Sequence, residues 1–368
     1  MRSLELFSGC GGLAKGLALA GFRHCAFVER NKWACESLRA NFNPALVHET
    51  DIRLFDFKAV GAVDLIAGGP PCQPFSLGGL ARADADARDM FPQAIRAIHE
   101  LAPRGFIFEN VKGLLRKGFA DYFSYIILRL TFPDQTLPPG MDWRTHLAEL
   151  KGIDFAAYEG LKYNVQYRLL NAVDYGVPQR RERVFIVGLR NGLDLQWEWP
   201  AKAEGRMTIA DVIGNLPDAR GANGLGDHVF VDGAREYPGH TGSDYDKPSK
   251  TIKAGAHGVP GGENMIRFPD GSLRYMTVHE AKLIQTFPDD YRVCGSWGEA
   301  LRQIGNAVPV RLAQLMGEQM WRTLARAHCL SRARPRRSAS TRLLRLAGTP
   351  GNRPSRSSSN NHKTERQK

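Results

Sequence analysis

The sequence predicts an α/β fold built on a parallel sheet with helices on both faces. Two observations carry that expectation. Over the first half of the chain, short apolar runs alternate with segments of helical period, the pattern of repeated βαβ units. The chain's unusual residues also fall just after those apolar runs, where an open α/β sheet holds its ligands.

The elements follow in order. LELF (4–7) precedes a glycine-rich turn and the amphipathic stretch Leu13 to Ala20. CAFVE (25–29) precedes a helix-like Lys32 to Phe42. AVDLIAGG (62–69) runs into GGPPCQPFS (68–76), and a helix-like Met90 to Leu101 follows. GFIFEN (105–110) leads to another helix-like stretch, Tyr122 to Leu130. VQYRLL (165–170) and RVFIVGL (183–189) supply two more strands. Residues 131–160 interrupt the alternation and read as an insertion with a short helix of its own. From 190 to 275 Gly, Pro and Asp become dense, and helical patterning resumes at Thr277 to Gln285 and Val310 to Arg326. The expected layout is one domain from 1–190 and 276–327, an irregular domain at 191–275, and a basic tail at 328–368.

Composition narrows the class of protein. With 43% hydrophobic and 24% charged residues, the 368-residue chain is ordinary for a globular protein. No apolar run reaches bilayer length, and MRSLELFSGCGG lacks the core of a secretion signal, so a cytoplasmic protein is expected. The six cysteines (10, 25, 35, 72, 294 and 329) form no CxxC or Cys/His cluster, which argues against structural zinc and a disulfide framework. The formal charge is +12, but from Ser331 onward eleven basic residues face Glu365 alone, leaving only +2 for the first 330. That Ser/Arg/Asn/Pro-rich tail has the composition of a disordered segment. It would either add non-specific phosphate attraction or be a dispensable extension.

The polar residues then define a site. Five strand ends face one crevice: Ser8–Gly12, Glu29, Asp51, Cys72, and Glu109 with Asn110. Gly9, Gly11 and Gly12 permit a tight turn and a ligand close to the backbone. Glu29 lies where an acid can bind ribose hydroxyls. The turn lacks GxGxxG spacing, which disfavours a nicotinamide oxidoreductase. Pro70, Pro71 and Pro74 stiffen the chain around Cys72, so its sulfur reads as a nucleophile presented at a fixed point. Cys10, Cys25, Cys35 and Cys329 sit in apolar patterns and read as packing residues. In YGVPQRRERVFIVG (175–188), alternation puts Gln179, Arg181, Arg183 and Phe185 on one face. Two arginines there would clamp a base or a phosphate.

In family order, these elements resemble a DNA (cytosine-5)-methyltransferase of the bacterial restriction–modification type. The matching stretches are ELFSGCGG (5–12), Glu29, Asp51, GGPPCQPFS (68–76), ENV (109–111), QRRERVFIVG (179–188), HEAKLIQTFP (279–288) and QIGNAVP (303–309). Glu5 is a small departure, since the family more often has Asp there. The resemblance implies a Rossmann-like S-adenosylmethionine-dependent sheet, with a target-recognition domain (191–275) inserted before the C-terminal helices. Cys72 would add to carbon 6 of a flipped-out cytosine and make carbon 5 nucleophilic. Glu109 would protonate ring nitrogen 3, and Arg181 and Arg183 would hold the cytosine oxygen and favour the thiolate. The cofactor would touch Phe7, Gly9, Gly11, Gly12, Glu29, Asp51, Ile52, Pro71, Asn306 and Val308. No metal is implied. The partner would be double-stranded DNA, opened by base flipping and contacted by Gln179, Lys247, Lys250 and Lys253, with Leu77 to Asp89 as a loop hinged at Gly78 and Gly79. A monomer is expected, with a companion restriction endonuclease as functional partner and no membrane partner. Methylation of cytosine in tRNA is the rival substrate, and a DNA-binding regulator without catalysis is a second rival. Intact Cys72, Glu109, Arg181 and Arg183 argue against the latter.

Overall fold

A computed structural model describes residues 1–71, 89–238, 240–254 and 264–333, with side chains as far as 326. Cys72, the rest of the expected loop up to Arg88, and residues 255–263 therefore lie outside the described residues, as does the tail beyond 333.

The first half folds as strand and helix in turn: β1 (Arg2–Leu6), α1 (Gly12–Leu19), β2 (Arg23–Glu29), α2 (Lys32–Asn41), β3 (Val47–Glu49) and β4 (Leu65–Gly68). Then come α3 (Phe91–Leu101), β5 (Gly105–Val111), α4 (Ala120–Thr131), α5 (Trp143–Lys151), β6 (Tyr163–Asn171) and β7 (Glu182–Arg190). These strands form one seven-stranded sheet in the order β3-β2-β1-β4-β5-β7-β6. β1 pairs in parallel with β2 and with β4. The chain thus winds outward to β3 and returns to β4 on the other side of β1. That reversal of strand order opens a crevice at the carboxyl ends of β1 and β4.

The sheet departs from the expected all-parallel form at one edge, where β7 runs antiparallel to both β5 and β6. The cause is the connection: residues 172–181 hold only a short turn at Ala172–Tyr175, too little chain for a crossover between parallel strands.

Alternating side chains divide each strand between two cores. Leu4, Leu6, Ile66, Phe106, Phe108, Val184 and Ile186 pack under α3, α4 and α5. Leu65, Ala67, Ile107, Phe185, Val187 and Leu189 pack against α1 and α9 (Val310–Ala333) on the opposite face. Each fully buried side chain of this size contributes about 1.5–3 kcal/mol. Gly188 on β7 is opposite Phe106, whose ring fills the place of a Cβ. The first and last helices also meet closely: a Cβ on Gly16 of α1 would lie 2.6 Å from Gln314 N of α9.

Beyond β7 the chain forms α6 (Ile209–Ile213), a small sheet of β8 (Ser243–Asp244), β9 (Met265–Arg267) and β10 (Leu273–Tyr275), then α7 (Val278–Ile284) and α8 (Trp297–Asn306). A third core of Ile209, Ile213, Ile252, Ile266 and Met276 joins this region to Ile284 and Ile304. Reciprocal hydrogen bonds from Thr277 and Glu280 cap α7. Residues Met1–Cys329 cohere as one compact unit.

Candidate active site

The crevice between β1 and β4 is a cavity of about 460 Å³, within the usual range for a small-molecule site. Its wall begins with the turn after β1, where Phe7 and Gly9 take positive φ (52° and 53°). Glycine adopts such angles without strain; for Phe7 they carry a cost. The turn is tied to β2 by Glu29, whose Oε2 accepts from Gly9 N at 2.9 Å. Its Oε1 accepts from Arg30 N at 2.9 Å and Asn31 N at 2.8 Å. Three backbone donors thus fix one carboxylate on the cavity wall. Glu29→Ala is expected to weaken ligand binding in this cavity tenfold to a hundredfold, roughly the value of one or two hydrogen bonds to a charged group; titration calorimetry would measure it.

Asp51 and Ile52 line the next part of the wall. Asp51 caps its own turn and accepts from Arg53 N and Nε, both at 2.9 Å, and from Arg53 Nη2 at 2.7 Å. Those hydrogen bonds from Arg53 hold its carboxyl down at about 2, so it is an anion at neutral pH. On the far side, Gly12 has no room for a side chain because the Val308 carbonyl lies where its Cβ would be. Val308 and Asn306 complete the wall.

The polar end of the cavity holds Glu109, on β5, and Arg183, on β7. Glu109 is buried, and Arg183 Nε sits 2.9 Å from its Oε1. This is ion-pair distance, although Oε1 accepts no properly directed hydrogen bond from the described residues. Asn110 Nδ2 donates to Pro70 O at 2.9 Å, and Met90 N donates to Pro71 O at 3.0 Å. The two prolines before Cys72 are therefore pinned beside Glu109.

Phe7, Gly9, Gly12, Glu29, Asp51, Ile52, Pro71, Glu109, Arg181, Arg183, Asn306 and Val308 all line this cavity. Two sequence-based assignments need revision, those of Gly11 and Gln179. Gly11 does not line it; a Cβ there would lie 2.5 Å from Tyr291 Oη, so this glycine allows packing. Gln179 is fully buried, donating to Gln285 Oε1 at 3.1 Å and accepting from Ile252 N at 3.2 Å, with no face for DNA. Arg181, which lines the cavity, is buried and gives its two Nη groups to backbone carbonyls, Gly305 O at 2.9 Å and Ile252 O at 3.4 Å. Its Nε has no hydrogen-bond partner among the described residues. Burial, and then Arg183 beside it, push Arg181 down to about 9, still a cation at neutral pH.

The two arginines thus differ in role. Arg181→Ala is expected to cost about 3 kcal/mol of stability through unpaired carbonyls and a lost strut, measurable by urea unfolding. Arg183→Ala should lower activity and also cost stability, because Glu109 is then left buried without its ion-pair partner. Lys247, Lys250 and Lys253 are exposed and away from the cavity wall. Cys10 is buried, which pushes its thiol up to about 12, as suits a packing residue. The sequence reading missed Gly305, which has no room for a Cβ because Ala254 N would lie 2.6 Å from it. Its place in IGNAV was the available signal. Among the described residues, no group of three or more His, Cys, Asp or Glu is arranged to hold a metal.

The sequence model of the C-5 cytosine-specific DNA methylases matches residues 1–132 and 153–322. The Type II methyltransferase M.NgoMIV of Neisseria gonorrhoeae is 34% identical over 335 residues, covering 88% of this chain and 97% of that protein. Among solved structures, a prophage-encoded DNA modification methyltransferase from E. coli superposes with a TM-score of 0.63 at 22% identity, covering 88% of this chain and 99% of that one. A DNMT2 variant from Spodoptera frugiperda gives 0.61 at 20% identity, covering 87% and 99%. At these identities the structural likeness speaks for the fold alone.

Proposed function

The chain belongs to the C-5 cytosine-specific DNA methylase family, and on that premise we propose how its cavity methylates carbon 5 of a cytosine in DNA. S-Adenosylmethionine fits the donor set: Glu29 for the ribose hydroxyls, Asp51 and Ile52 for the adenine, and Phe7, Gly9, Pro71, Asn306 and Val308 around them. When bound, it supplies an electrophilic methyl group.

The remaining work belongs to the chain's own residues. The Cys72 sulfur bonds to carbon 6 of the cytosine while Glu109 delivers a proton to ring nitrogen 3. The negative charge that addition would place on the ring is thereby neutralised, and carbon 5 becomes nucleophilic. Arg183 orients Glu109 and faces the cytosine oxygen. Once carbon 5 has taken the methyl group, its proton leaves to water and the sulfur departs as a thiolate. Ring nitrogen 3 returns its proton to the Glu109 carboxylate, which restores the aromatic ring. Because Glu109 is buried, the base must leave its helix to reach it, at a cost of a few kcal/mol.

The observation that carries this reading is the buried Glu109–Arg183 pair in the same cavity as Glu29 and Asp51. Residues 191–275 would read the target, with Lys247, Lys250 and Lys253 on phosphates. All the groups invoked come from one chain, which supports a monomer as the working unit. A companion restriction endonuclease and a cytoplasmic place of work belong to the same proposal. Among the described residues no helix is long and apolar enough to cross a membrane. Methyl incorporation into duplex DNA and into tRNA tests the substrate, and bisulfite sequencing then reads the target. Methylation confined to duplex DNA is expected; methylation confined to tRNA would replace this reading with its rival.

A further inference from the structure

Helix α5 lies in residues 133–152, which the family's sequence model leaves unmatched. Asp142 caps it, accepting from Arg144 N at 3.0 Å, and Trp143, His146, Leu147 and Leu150 are buried. They pack on α4. The Trp143 ring stands edge-on to Tyr122, with centroids 5.3 Å apart and planes at 88°. It also contacts Tyr125, at 5.7 Å.

Below this layer runs a hydrogen-bonded chain. Arg129 Nη1 donates to Tyr125 Oη at 3.1 Å, and Tyr125 Oη lies 3.0 Å from His146 Nδ1. Burial, and then Arg129, hold His146 below its ordinary range. A neutral imidazole accepts the tyrosine proton, consistent with that polarity. The aromatic layer is therefore locked by polar contacts as well as by packing.

Tyr122 is the outlet of this layer. Its hydroxyl donates to Asp89 Oδ2, and Asp89 Oδ1 accepts from Phe91 N at 3.2 Å at the start of α3. The next residue, Met90, is the one whose N–H holds Pro71 O. Asp89 and Pro71 are the two described residues that bracket the segment carrying Cys72.

We propose that α5 is a buttress for the reaction centre, and that Tyr122 and Trp143 are positioning residues that fix Asp89 and Met90 and hence Pro71 beside Glu109. This rests on the reading of Cys72 as nucleophile. Misplacing a reacting group by about 1 Å can cost as much as a hundredfold in rate, so a loosened bracket should reduce turnover while leaving the cofactor wall at Glu29 and Asp51 intact.

The test uses the full chain. Tyr122→Phe removes one hydroxyl, Trp143→Leu removes the aromatic edge, and Trp143→Phe restores an aromatic ring. For each, kcat, KM for both substrates, cofactor affinity and thermal unfolding are measured. Tyr122→Phe and Trp143→Leu are expected to lower kcat roughly tenfold, with cofactor affinity within about twofold and Trp143→Phe recovering most of the rate. An unchanged kcat in Tyr122→Phe overturns the proposal. So does a parallel loss of kcat, cofactor affinity and melting temperature in both variants, which would reveal a merely structural helix. Trapping on 5-fluorocytosine DNA separates the two failures. If the unsubstituted protein forms no adduct, the nucleophile assignment fails. If it does, and Tyr122→Phe traps at the same rate, only the buttress fails.

Discussion

Cys72→Ser is expected to reduce methyl transfer by at least about three orders of magnitude while leaving cofactor binding in place. A thiol is a few per cent thiolate at neutral pH and strongly nucleophilic; a serine hydroxyl is neither ionised nor activated here. No other described cysteine can substitute, since none of Cys10, Cys25, Cys35 and Cys294 lines the cavity. Duplexes carrying 5-fluorocytosine at the target should trap the unsubstituted protein, because carbon 5 then has no proton to lose. Mass spectrometry should find the base on residue 72. A Cys72→Ser protein that methylates at the original rate, or an adduct on another residue, would remove the nucleophile from the scheme.

Glu109→Gln should lower kcat by about 10²–10⁴-fold, the usual worth of a positioned proton donor. The amide keeps the size of the side chain but delivers no proton to ring nitrogen 3. Cofactor affinity should hold, because Glu29, proposed for the ribose, takes its hydrogen bonds from Gly9, Arg30 and Asn31 and not from Glu109. Arg183→Ala should cost activity through the same carboxyl. The double variant should therefore lose less than the product of the single losses, the mark of residues acting as a unit. Strict additivity, measured as single-turnover rates on duplex DNA, would show that Arg183 acts independently of Glu109.

Much of this site was legible because it sits on strand ends. Glu29 closes an apolar run, Asp51 follows another, and Pro71 and Glu109 stand just beyond or at the end of two more, so periodicity located them before any geometry was known. Gln179 was misread, and the structural role of Arg181 missed, for a reason that alternation cannot reveal. Their partners, Ile252, Gly305 and Gln285, lie far along the chain, and the distant packing turns both side chains into internal struts. Strand direction escaped for a related reason. Periodicity marks β6 and β7 as strands without orienting them, and only the shortness of 172–181 hinted that they run opposite ways. Gly11 looked like part of a ligand turn because nothing nearby announces Tyr291 above it.

The seating of α1 against α9 has a consequence for synthesis. Gly16 needs Gln314 and its neighbours before one face of the sheet is covered. Those residues leave the ribosome some 300 positions later, roughly 15–60 s at ordinary elongation rates. Throughout that interval the nascent chain shows Leu13 and Leu17 to solvent and to chaperones, so the cell can have no working enzyme until the distant helix arrives.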